Sequence, residues 1–136
     1  MSSQTDEPIE AVMARRHDDF VRRFNAGDAD GIADTFYAPD AVILPPHGPR
    51  IEGRAAIRAF LREFHRAACR TGTITLTRVE ASGDLAYVVG AYAVEACLPD
   101  GTTASDTGHL LEAWCRDAAG DWWCVADMYA SDRPPE

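Results

Sequence analysis

The spacing of apolar residues changes period at Gly72, and this change constrains the fold more than any other feature of the chain. Before it, apolar side chains recur at helical spacing: Ile9, Val12, Met13, Phe20 and Phe24, then Ile32 and Phe36, then Ile57, Phe60, Leu61 and Phe64. After it come TITLTRVE, LAYVVGAYAVEAC, TTASDTGHLLEAWCR and DWWCVADMYAS, rich in β-branched and aromatic residues. Ser82-Gly83-Asp84, Pro99-Asp100-Gly101 and Asp117-Ala-Ala-Gly120 separate these segments as turns. Helices first and an antiparallel meander afterwards imply an α+β fold, with the helices laid on one face of the sheet.

Local signals set the boundaries. Helix one is expected over Glu7 to Asn25, stopped by Asn25-Ala-Gly27, and Asp28 is an N-cap for a short second helix. Pro39 cannot continue that helix, and Ala41 to Leu44 reads as a brief strand ended by Pro45-Pro46. The loop PPHGPRIEG then leads to a third helix from Arg54 to about Arg70. The 136 residues suit one domain, with a core about residues 8–132 and room for an internal pocket. Neither repeats nor low-complexity segments interrupt it, and mobility is expected only at the termini.

Charge excludes several classes of partner. Twenty-two acidic residues against 13 basic ones give a net charge of −9, the wrong sign for nucleic acid or an anionic membrane. No apolar run approaches the roughly 20 residues of a membrane span. The start, MSSQTDEPIE, lacks the regions of a signal peptide, so a cytoplasmic protein is expected. Every basic residue is arginine, a bias that fits a GC-rich bacterial genome and excludes Schiff-base or P-loop lysine chemistry. Cys69, Cys97, Cys115 and Cys124 lack C-x-x-C spacing and read as reduced, packed thiols. His17, His47, His65 and His109 form no H-x-H or H-x-x-x-H set, so no metal is expected. Nucleophilic catalysis has no serine elbow or Cys–His spacing to support it.

The element order, with NAGDADGIADTFYAPDAVILPP, the Gly53-Arg54-Ala-Ala-Ile57-Arg-Ala-Phe60 helix start, Gly83-Asp84-Leu-Ala and Gly120-Asp-Trp-Trp, resembles the nuclear transport factor 2-like superfamily. Its SnoaL-like and ketosteroid-isomerase-like branch is the nearest resemblance, over about residues 8–132. The resemblance implies a cone-shaped α+β barrel, three N-terminal helices packed on a curved, mainly antiparallel sheet, with a ligand pocket at the open end. It also implies a homodimer formed through the outer face of the sheet. Transferred position by position, the isomerase tyrosine on helix one falls on Phe20 and the isomerase base on Pro45, so both are missing. The second acid falls on Glu112, and Tyr37 and Phe60 match pocket residues. A steroid isomerase of the usual mechanism is not expected.

Reading the last hairpin as closed between Arg116 and Asp121 places Glu112 opposite Val125 and Leu110 opposite Asp127. Glu112 and Trp114 then share a face with Trp123, Val125, Asp127 and Tyr129, and the two acids are diagonal neighbours. Two carboxylates in an aromatic cone would have their pKa values pushed apart, the usual origin of an acid and a base. Asp127 is thus the candidate base, Glu112 the acid or its partner, and Tyr37 or Tyr129 the donor to a developing enolate. Phe20, Phe36, Phe60, Trp114, Trp123 and Val125 are candidate ligand contacts, and His47 a candidate lid residue. Each has a plainer reading: acids wet at the sheet rim, aromatics as core, His47 as a solvated loop residue. Arg54, Arg58, Arg62, Arg66 and Arg70 form a stripe that is either a solvated face or meets acids elsewhere.

Two functions follow. One is a cofactor-independent isomerase, cyclase or dehydratase acting on a small apolar carbonyl compound, in polyketide or other secondary metabolism. The other is a non-catalytic ligand-binding or dimerisation domain. An open cavity above roughly 300 Å³ with converging polar groups favours the first.

Overall fold

A computed structural model describes residues 7–133. The terminal residues 1–6 and 134–136, on which the readings of the leader and of terminal mobility partly rest, lie outside the described residues. The elements run α1 (Ile9–Asn25), α2 (Ala29–Thr35), β1 (Tyr37–Leu44), β2 (Ile51–Glu52), α3 (Arg54–Ala67), β3 (Cys69–Ser82), β4 (Leu85–Cys97), β5 (Thr103–Arg116) and β6 (Trp122–Ser131). Three helices pack on one six-stranded sheet of order β2-β1-β6-β5-β4-β3. Pairing is antiparallel except between β1 and β6, which run parallel. The sheet is not closed, since β2 and β3 are its two edges, so the barrel of the sequence reading is an open one.

The break between α1 and α2 forms as the residues dictate. Gly27 takes φ 73°, a left-handed value that ends the helix at little cost only for glycine. Asp28 then caps α2, accepting from the Gly31 amide at 3.0 Å and from Arg23 at 2.8 Å. The turn delivers Phe36 and Tyr37 directly into β1, where Phe36 accepts a hydrogen bond from the Cys124 amide of β6 at 3.0 Å. β1 is longer than the Ala41–Leu44 segment read from sequence, because Tyr37 already pairs with Cys124 of β6, ahead of a register irregularity that ends at Val42. The proline loop contains β2, two residues that pair back on β1. α3 stops at Ala67, so Arg70 belongs to β3.

Trp114, Tyr37, Met13, Ile32, Ile43, Ile57, Val88 and Cys124 are wholly enclosed between the helices and the sheet. Each large apolar side chain buried there contributes about 1.5 to 3 kcal/mol. Arg16 ties the layers together by donating to the carbonyls of Thr35 (2.6 Å) and Trp122 (2.8 Å). The arginine stripe finds partners: Arg58 pairs with Asp34, Arg62 with Asp30 at 2.7 Å, Arg66 with Glu63, and Arg54 donates to the Tyr37 carbonyl at 2.6 Å. Most of it therefore joins α3 to α2 and β1. The packed-thiol reading fits Cys124 alone, since Cys69 and Cys97 are exposed and Cys115 is half-buried.

Candidate functional site

The site begins with a one-residue irregularity in β6. Next to the hairpin, Arg116 faces Trp122 and Trp114 faces Cys124, because the loop is one residue longer than the sequence reading allowed. Between Ala113 and Trp114 the register shifts again, at Val125, so that Glu112 lies directly opposite Asp127 and Leu110 opposite Tyr129. The two offsets add to two residues, and a shift of two preserves the face. Asp127 and Tyr129 therefore point inward with Glu112, while before the bulge the inward pair is Trp122 and Cys124. Trp123 and Val125 are displaced from the expected face and stand off the cavity wall, both half-buried: Trp123 packs between the guanidiniums of Arg16 and Arg54 at 5.4 and 5.5 Å and donates to Asp117 at 3.0 Å.

Glu112 and Asp127 are both buried, 3 % and 7 % exposed. Their surroundings differ. Glu112 Oε1 accepts from the Trp114 indole at 2.9 Å and meets His17 Nε2 at 2.7 Å. His17 Nδ1 lies 2.7 Å from the Met13 carbonyl, which can only accept, so Nδ1 carries a proton. One further proton lies between Nε2 and the carboxylate. Burial alone would lower the His17 pKa, but the Glu112 hydrogen bond and charge outweigh it and the pKa is raised, which describes an imidazolium on a carboxylate. His17 is a residue that sequence reasoning missed. Its signal was its place in the α1 stripe, one turn after Met13 and three residues before Phe20, where an apolar side chain is expected.

Asp127 has no cation against it. Its Oδ2 accepts from the Tyr37 hydroxyl at 2.6 Å, across the parallel β1–β6 pair. Burial, and then the charge of Glu112, push its pKa up to about 7, against the lowering effects of Tyr37 and His17. Burial and the neighbouring Asp127 also raise the Tyr37 and Tyr129 pKa values, so both phenols stay protonated. The Tyr129 hydroxyl has no hydrogen-bond partner among the described residues.

These groups form the deep end of a cavity of about 700 Å³. Phe20, Phe24, Phe60 and Phe64 supply the helical wall, Ile74, Val94 and Leu110 the sheet wall, and Pro45, Pro46, Gly48 and Pro49 one side of the mouth. Of the expected contacts, Phe20 and Phe60 line the cavity together with Tyr37, Glu112, Asp127 and Tyr129. Phe36, Trp114, Trp123, Val125 and His47 are not among its walls. Phe36 and Trp114 are core behind it, their rings edge-on at 4.9 Å, and His47 is an exposed loop residue with φ 63°. Among the described residues, no group of three or more His, Cys, Asp or Glu could hold a metal ion, and no helix is long and apolar enough to cross a membrane.

A family model described as SnoaL-like domain matches residues 17–127, from the imidazolium of α1 to the buried aspartate of β6. The chain belongs to the SnoaL-like family. Solved structures with the same fold include a ketosteroid isomerase-like protein from Erwinia carotovora, with TM-score 0.84 and 19% identity, covering 96% of this chain and 100% of that one. An NTF2-like protein with a cystatin-like fold from Novosphingobium aromaticivorans has TM-score 0.81 and 21% identity, covering 93% and 84%. A conserved protein from Planctomyces limnophilus has TM-score 0.80 and 14% identity, covering 90% and 96%. At such identities the likeness shows the fold alone. No curated protein matches the sequence.

Proposed function

We propose that this SnoaL-like protein is a cofactor-independent enzyme that moves a proton on a small, largely apolar carbonyl compound, as an isomerase, cyclase or dehydratase does, within polyketide or related secondary metabolism. The supporting observation is Asp127: a buried carboxyl at the deep end of an apolar cavity, with a pKa of about 7 and one oxygen held by Tyr37. A base with that pKa is largely ionised just above neutrality and still has a strong affinity for a proton. The Tyr37 hydrogen bond fixes Oδ2 and leaves Oδ1 free to take a proton from the carbon next to a substrate carbonyl. The unpartnered, protonated Tyr129 hydroxyl is the donor to the enolate oxygen. Glu112, already joined to His17 and Trp114, acts as the fixed charge that keeps the proton affinity of Asp127 high, and so takes the partner role.

The test is exchange of the methyl protons of acetonaphthone into heavy water, followed by NMR. The native protein should catalyse it with a rate that rises as pH passes about 7. Asp127→Asn should lower that rate by about 100-fold or more. Undiminished exchange in the variant would sink the assignment, and tight binding without exchange by the native protein would favour the ligand-binding reading.

We also propose a homodimer through the outer sheet face. Leu44 and Leu111 flank Met128 in register there, exposed by 38, 45 and 44% respectively, a contiguous apolar row. Sedimentation should show a dimer that Leu111→Arg dissociates, whereas a native monomer would exclude it.

A further inference from the structure

The cavity has opposite charge at its two ends. Its deep end holds Glu112 and Asp127, while the mouth is lined by Arg70, Asp106 and Arg133. Asp106 is already engaged: it accepts from Ser131 at 2.7 Å and lies 3.8 Å from Arg133, which also donates to the Ser105 carbonyl. Arg70 is different. Among the described residues it has no carboxylate within ion-pair distance, and neither do Arg16, Arg54 and Arg78. Arg16 and Arg54 donate instead to carbonyls inside the core, and Arg78 lies outside the cavity. Arg70 alone of the four lines the cavity.

Its position follows from the chain path. α3 ends at Ala67 and β3 starts at Cys69, so Arg70 enters the sheet beside the last turn of α3. Its guanidinium lies over the Phe64 ring at 3.9 Å and gives one donor to the Phe64 carbonyl. A guanidinium has five N–H donors in a planar fork, so most of the set remains for a ligand. Arg70 pairs in register with Ala96 and Ala96 with Ala104, eight residues along β5 from Glu112. The cation and the carboxylates therefore mark separate ends of one apolar chamber.

We infer that the cavity selects apolar molecules bearing a carboxylate, which Arg70 receives at the mouth while the uncharged part lies toward Asp127. The deep end offers such an anion no unpaired cation, so the two ends together fix one orientation. This deepens the proton-transfer reading and rests on it only for what happens at the deep end; selection at the mouth is a matter of binding.

The experiment is calorimetric titration with naphthaleneacetate and with its neutral isostere naphthaleneacetamide. The native protein should bind the carboxylate about tenfold tighter at low salt, the value of a charge-assisted hydrogen bond. Arg70→Gln should erase this preference while the amide binds as before, and Arg133→Gln and Asp127→Asn should retain it. No preference in the native protein, or a preference that survives Arg70→Gln, overturns the proposal. Arg70→Lys keeps the charge and the cover over Phe64 but loses the fork, so its preference should fall several-fold, and an undiminished one overturns the proposal too. Proton exchange lost in Asp127→Asn beside an absent carboxylate preference would overturn this inference and leave the catalytic reading standing; the reverse pattern would do the opposite.

Discussion

His17–Glu112 and Arg62–Asp30 are both cation–carboxylate pairs at 2.7 Å, one beneath the cavity and one on the outer helices. Their side chains are 3% and 3% exposed in the first pair, 61% and 54% in the second. Equal distances thus describe unequal interactions. On the surface, water screens the charges and holding two long side chains costs entropy, so such pairs contribute little. In the core, water cannot replace a lost partner, and removing one ion leaves the other stranded. Asp127 is a third case, a buried carboxyl with a phenol where Glu112 has a cation.

The sharpest way to break the comparison is His17→Leu, which leaves Glu112 with only its indole partner. It should destabilise the fold by about 3 to 5 kcal/mol in urea unfolding. The His17 pKa is raised on folding, so the stabilisation is complete below its ordinary value near 6.5 and is lost as pH rises through the folded value. The deficit of the variant should therefore shrink toward alkaline pH, and a constant deficit would mean that packing, not charge, holds the ring. Asp127→Asn should act in the opposite direction. A carboxyl whose pKa rises from 3.8 to about 7 on folding loses stability progressively as pH climbs across that window. The variant should be more stable than the native chain at pH 8 by about 2 to 4 kcal/mol, and equal to it near pH 3. Thermal unfolding at the two pH values checks this. Arg62→Ala should give the smallest effect, no resolvable change in the urea midpoint; a clear loss would show that the arginine stripe fastens α3 to α2.

The sequence carried the broad fold because period and turn chemistry are local. The Gly27 stop, the Asp28 cap and the three strand turns each depend on residues within a few positions. It did not carry the face of β6 beyond the hairpin, because a longer loop and a bulge leave no compositional mark. Asp127 and Tyr129 face inward after two offsets that cancel in parity, whereas Trp123 lies before the second offset and Val125 at it, and both alternate with the buried Trp122 and Cys124, away from the cavity wall. His17 was hidden for another reason. A histidine in an apolar stripe announces a buried partner without naming it, and Glu112 lies 95 positions away.

The bulge at Val125 also bears on how such a chain can change over generations. Without that residue, β6 would alternate unbroken from Trp122 through Cys124 to Asp127 and Tyr129, presenting the same four side chains inward. One codon gained or lost there leaves the frame of the chemistry intact and alters the local bend and twist of the wall instead. At most other positions in the strand the same event would turn the acid to the outer face. The cavity can thus be reshaped by insertion and deletion at one place while its proton-handling groups stay where they are.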